Sequence, residues 1–325
     1  MQRASLERHQ VWIYAAAIAL GWALGRIAPA LAPGLEAALW PALALLLFAT
    51  FVQVPLLHLR EALADRRFVA ATLLGNFVLV PMAVAALLPW LPADAALRLG
   101  VALVLLVPCT DWFITFCALG RGDTARAIAV TPLNLLLQLL LLPPLLVLLS
   151  GRITGGDALH GTLAEAFAPA AVWPAAALVL GPLAAALVAE RWIEAKAGRE
   201  AWRERGAWAP VPLLALVVAL IAGAQAQALG DAAPRLAALL PVFAGYLLLA
   251  LGLAAALARA WRLPAAQART LAYGLGTRNS FVVLPLALAL PAGWETTALV
   301  IVLQSLVELL GMLVFLALLP RWFRG

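Results

Sequence analysis

An all-α polytopic membrane protein is the fold class this sequence predicts, and three observations predict it. Of its 325 residues, 65% are hydrophobic and only 12% charged, with a mean hydropathy of +1.00. That is more apolar surface than a water-soluble core needs. The apolar residues also stand in long runs, such as Leu133 to Leu149 and Leu236 to Leu257, close to or beyond the roughly 20 residues a helix needs to cross a bilayer. A transmembrane β-barrel would need short alternating segments instead. Finally, the basic residues fall unevenly among the segments that join these runs.

Read in order, the runs give ten spans: 11–28, 35–54, 68–89, 97–119, 126–149, 170–189, 208–225, 236–257, 269–290 and 296–319. The first is a membrane helix rather than a signal peptide, because Gly21, Trp22 and Gly25 run into Arg26 and Pro29 without a small-residue cleavage site. The fourth carries Pro108 and the ninth Gly274 and Gly276. Helix breaks are predicted there, since proline removes a backbone donor and glycine weakens a helix interior.

Charge orients the spans. With an inside amino terminus, the inward segments hold 17 of the 22 Lys and Arg residues, among them Arg60, Arg121, Arg203 and Arg262, while the outer segments hold only Arg26, Arg98, Arg152 and Arg235. This positive-inside bias places both termini in the cytoplasm of a cell whose inner membrane the chain crosses many times. The net charge of +6 is thereby a topology signal, and nucleic acid is not an expected partner. The hydrophilic stretch 190–207 reads as topological anchoring, with contact to anionic lipid headgroups as the alternative.

Residues 151–169 form an external Gly-containing linker, with Asp157, His160 and Glu165, between five spans in 1–150 and five in 170–325. Because five is odd, a second copy of the first half enters from the opposite face. This is the inverted-repeat arrangement of many secondary transporters, and it puts the broken spans 4 and 9 at equivalent positions.

The two breaks carry the candidate site. Span 4 contains Pro108, Cys109, Thr110 and Asp111, and span 9 contains Gly276, Thr277, Arg278, Asn279 and Ser280. Exposed amides and freed carbonyls at such breaks bind solutes or ions and are tolerated only where protein or a water-filled cavity covers them. Cys109, Thr110, Asn279 and Ser280 are the substrate-binding candidates. Asp111, Arg278 and Glu308 are candidates for coupling or gating, because charge inside a bilayer is expensive unless neutralised, paired or hydrated. Arg278 pairs with Asp111 if the broken helices cross; the alternative is that it faces the solute. Asn134 and Gln138, like Gln304 and Glu308, are four residues apart and share a helix face. These positions, with Gln53 and Asn76, line a cavity or knit helices together.

Cys109 and Cys117 lie about 12 Å apart on a continuous helix, too far to hold one metal ion together, and the three histidines form no ligand spacing. There is no nucleotide-binding loop. Neither a metal, a cofactor nor an enzymatic activity is expected.

At these residues the sequence resembles the bile acid:sodium symporter superfamily, and its arsenite permease branch in particular. Pro108-Cys109-Thr110 is similar to the permease signature, which implies a transport role for Cys109, and Arg278-Asn279-Ser280 is similar to the superfamily's second broken segment. The resemblance implies a panel of spans 1, 2, 6 and 7 and a core of spans 3–5 and 8–10. It also implies secondary transport of a small polar solute: arsenite efflux against inward proton movement, or sodium- or proton-coupled uptake of an organic anion. Sodium-coupled relatives carry an acidic ligand where this chain has Tyr273-Gly274-Leu275-Gly276, which favours protons over sodium. A non-transporting sensor or scaffold is the reading of another class.

Overall fold

The protein is described here from a computed structural model, over residues 3–54, 65–110, 112–154, 169–196 and 198–323. Helix α1 (Arg3–Ile27) leads through a 3-10 turn, Pro29–Leu31, into α2 (Ala32–Phe51). Helix α3 covers 66–87 and is interrupted by a π turn at Gly75–Leu79. Asp65 caps its start, its carboxylate accepting from the Phe68 amide at 3.2 Å, which satisfies an otherwise orphaned donor of the first turn.

The fourth span is two helices, α4 (Ala95–Leu106) and α5 (Trp112–Leu119), followed by the long α6 (Thr124–Thr154). After α7 (Pro169–Glu194) comes the short α8 (Glu200–Gly206), then α9 (Pro210–Ala224), α10 (Ala226–Ala237) and α11 (Leu240–Ala260). The ninth span is again split, into α12 (Ala265–Gly276) and α13 (Ser280–Leu288), and α14 (Glu295–Trp322) completes the chain. Among the described residues, six helical stretches have the length and apolarity to cross a bilayer: Pro29–Phe51, Arg66–Trp90, Thr124–Thr154, Glu200–Ala224, Ala232–Ala260 and Glu295–Trp322. This is a multi-pass, all-α membrane protein.

The outer surface agrees. Leu20, Leu140, Leu148 and Leu248 are each about 70% exposed or more, which a chain surrounded by water avoids and lipid rewards. The described residues depart from the sequence reading at 226–235, which is helix α10 rather than a connection. Its polar residues ended the apolar run, and after a break at Gln225 the chain resumes as a second helix. Arg235 at its end reaches Asp94 at 2.7 Å, and Asp94 in turn caps α4 through the Leu97 amide. Most of the external linker, with Asp157, His160 and Glu165, lies outside the described residues, as does Arg60.

Packing sorts the helices into two groups. In one, α9 lies between α1 and α2, and α7 packs on α2. Gly21 and Gly25 make the α1–α9 contact close: a Cβ on either would collide with the backbone carbonyl of Ala219 or Gly223. Small residues at such contacts let membrane helices approach until dispersion holds them. In the other group, α14 packs on α4, α11, α12 and α13, and α6 packs on α4 and α5. Both helix breaks lie in this second group.

Candidate functional site

The two breaks pair with each other. Val107 and Thr277 leave helical geometry for extended conformations, with φ, ψ of −110°, 116° and −97°, 143°. Pro108 and Arg278 then face one another in a single antiparallel β-bridge. The Cys109 amide donates to the Thr277 carbonyl at 3.3 Å, and the Asn279 amide donates to the Val107 carbonyl at 2.9 Å. The sequence explains the geometry: Pro108 cannot continue the α4 ladder, and backbone groups released inside a bilayer must be satisfied by protein. Each break supplies what the other lacks.

On the carboxyl side of the crossing sits Arg278, 2% exposed. Its Nη2 lies 2.9 Å from Asn76 Oδ1, 3.2 Å from the Gly274 carbonyl and 2.6 Å from the Leu275 carbonyl, and its Nη1 donates to the Leu105 carbonyl at 3.2 Å. The guanidinium carbon stands 5.4 Å from the centre of the Tyr246 ring, within range of a cation–π attraction. Tyr246 itself donates to the Leu275 carbonyl at 2.7 Å. The cation therefore covers the negative ends of both half-helices, α4 and α12. Asp111 lies outside the described residues, so the expected Asp111–Arg278 pair does too. Among the described residues, the carboxylate hydrogen-bonded to Arg278 is Glu308, whose Oε2 accepts from the Arg278 backbone amide at 2.8 Å.

On the amino side the described groups are hydroxyls and amides. Asn279 caps α13 through the Val282 amide, and its Nδ2 donates to Thr110 Oγ1 at 2.9 Å, tying the two breaks together by side chains. Ser305 donates to Ser280 Oγ at 2.7 Å, and Ser280 reaches Gln304 Oε1 at 3.4 Å. Gln304 passes the chain on to Glu308 Oε2 at 2.8 Å. Ser280, Ser305, Gln304 and Glu308 thus form one buried hydrogen-bonded chain, and the Thr110–Asn279 pair lies beside it as a second buried set. Cys109 is buried in the same crossing at 1% exposure, while Cys117 is packed in the core.

Other candidates stand apart. Asn134 and Gln138 are both buried on α6, where Asn134 Oδ1 and both polar atoms of the Gln138 amide have no hydrogen-bond partner among the described residues. Gln53, just beyond the end of α2, donates to the Arg203 carbonyl at 3.4 Å. It joins α2 to the basic connection rather than to the crossing. Sequence reasoning missed Tyr246 and Ser305. Neither has a signal of its own, since a lone tyrosine or serine in a span is ordinary, although Ser305 is the neighbour of Gln304. No group of three or more metal-ligating side chains occurs among the described residues.

Comparison with known proteins identifies a family. Residues 40–230, more than half of the chain, match the family described as Sodium Bile acid symporter family. The matched stretch includes Pro108, Cys109 and Thr110 and ends before Arg278. No curated protein matches the chain significantly. The family is one of carriers rather than enzymes. A membrane-embedded, multi-helix chain with two crossed helix breaks and this family match belongs to the Sodium Bile acid symporter family, and its function is secondary active transport of a small solute across a lipid bilayer.

Proposed function

We propose that the protein carries small organic anions by alternating access, holding the acidic group of the solute where α5 and α13 begin. The observation that supports this most is the polarity of the crossing. Arg278 covers the carboxyl ends of α4 and α12, whereas the described residues at the start of α13 and just before α5 are the hydroxyl and amide groups of Thr110, Asn279 and Ser280. Amino ends of half-helices carry positive potential and favour a carboxylate. The family description names a bile acid symporter, which supports an organic anion over arsenite. The arsenite reading rests on the Cys109 thiol, whose side chain is buried in the crossing.

In this reading the halves 1–150 and 170–325 are inverted repeats in ten spans, both termini face the cytoplasm, and Glu308 exchanges the coupling proton. The group of α1, α2, α7 and α9 is the panel past which the core moves. Vesicles containing the purified protein, offered radiolabelled organic anions of increasing size under a proton gradient, test the proposal. Uptake of at least one carboxylate should occur, fall on Asn279→Ala or Ser280→Ala, and survive Cys109→Ser. Protein-dependent flux of arsenite alone, abolished by Cys109→Ser, would replace the organic anion with the thiol-dependent cargo.

A further inference from the structure

The cradle around Arg278 has the form of a metal-ion site. Three oxygens, from Asn76, Gly274 and Leu275, converge on the single nitrogen Nη2 at 2.6 to 3.2 Å. That nitrogen carries two hydrogens, so three acceptors exceed what it can satisfy with two directed bonds, whereas a spherical cation binds all of them at once. The ligand type also fits. Two are carbonyls at the carboxyl end of a broken helix, the position where half-helices in membrane carriers hold small monovalent cations, and all are hard neutral oxygens suited to such ions. Tyr246 donates to the Leu275 carbonyl and anchors it. Asn76 sits in the π turn of α3, fully buried. Glu308, bound to the Arg278 amide, supplies one buried negative charge beside the cradle, which sets the preferred occupant at a single positive charge. No side chain among Tyr273, Gly274, Leu275 and Gly276 brings a further carboxylate.

We propose that Arg278 is a built-in cation occupying an alkali-ion site, so that the carrier works without sodium and removal of the guanidinium turns the cradle into a sodium-binding site. Ion binding by the cradle does not depend on the substrate reading above; only the transport consequence rests on it.

Equilibrium binding of radiolabelled sodium to the purified full chain, together with thermal unfolding in sodium chloride and in choline chloride at equal ionic strength, tests this. Wild type should bind no sodium saturably and melt at the same temperature in both salts. Arg278→Ala should gain one saturable site and regain in sodium the thermal stability it loses in choline. The double variant R278A/N76L should lose that gain, and Arg278→Lys, which keeps a tethered cation, should not acquire it. Arg278→Gln serves as a second, better-packed variant. Folded R278A and R278Q chains that bind no sodium would overturn the proposal, as would saturable wild-type binding that Asn76→Leu abolishes. If neither arginine variant folds, the wild-type measurement with and without Asn76→Leu decides by the same criterion. Sodium-independent uptake by wild type supports the consequence for transport. Failure of all uptake with the binding results intact would overturn the organic-anion reading and leave the ion site standing.

Discussion

Replacing Glu308 with leucine removes the carboxylate that holds the crossing from behind. Its Oε2 accepts from the Arg278 amide and from Gln304 Nε2, both at 2.8 Å, and the side chain is 1% exposed. Hydrogen bonds to a charged group contribute about 1.5–3 kcal/mol each, so losing two in a buried position destabilises the fold by about 3–6 kcal/mol. Glu308→Gln keeps one oxygen acceptor, and its loss should be about half as large. Arg278 and Glu308 are oppositely charged, both buried and joined through the Arg278 amide, so the two sites should couple. Pairing Glu308→Leu with Arg278→Met should destabilise less than the sum of the single changes, by about 1–3 kcal/mol. Reversible unfolding in mixed micelles titrated with a denaturing detergent, in sodium-free buffer, measures all four corners of the cycle. A loss below about 1 kcal/mol for Glu308→Leu, or strict additivity in the double variant, would refute the reasoning.

Three further outcomes follow from the same geometry. Gln138→Leu removes a buried amide with no partner among the described residues, so unfolding should show unchanged or higher stability, by up to about 1 kcal/mol, while vesicle uptake falls if the amide serves the solute's path. Gly21→Val forces a side chain into the Ala219 carbonyl and should destabilise by about 1–3 kcal/mol, seen as a lower melting temperature with no change in the substrate concentration dependence of residual uptake. At the membrane boundary, burial pushes the Asp65 carboxyl up, but the Phe68 amide, the Gln267 side chain and Arg126 outweigh it and hold the group below its ordinary 3.8. A carboxylate depressed on folding stabilises fully above its unfolded value and loses that contribution as pH falls through its folded value. Asp65→Asn should therefore lower the melting temperature at neutral pH and converge with wild type in acid below the ordinary carboxylate range; a gap that persists there would assign the effect to packing.

The long apolar helices and both breaks were legible in the sequence because each has a local cause. Apolar runs such as Leu133 to Leu149 mark helices without reference to partners, and Pro108 breaks α4 by its own covalent structure. Thr110, Asn279, Ser280, Gln304 and Glu308 were legible as a set of residue types, since polar groups are rare in a bilayer and signal a site. Helix α10 was not, because hydropathy falls at Gln225 while a new helix begins directly after it.

Sequence alone thus determined that this is a multi-pass helical membrane protein, and which polar residues its interior must accommodate; both follow from transfer energies that act residue by residue. Only the tertiary structure decided how those residues pair. That Arg278 turns back onto the Gly274 and Leu275 carbonyls and reaches Asn76, 202 positions away, while its amide meets Glu308, depends on where α3, α4, α12 and α14 come together. Hydrogen bonds select partners by distance and direction in space, and no spacing along the chain encodes which of several buried oxygens will stand within 3 Å of a given nitrogen.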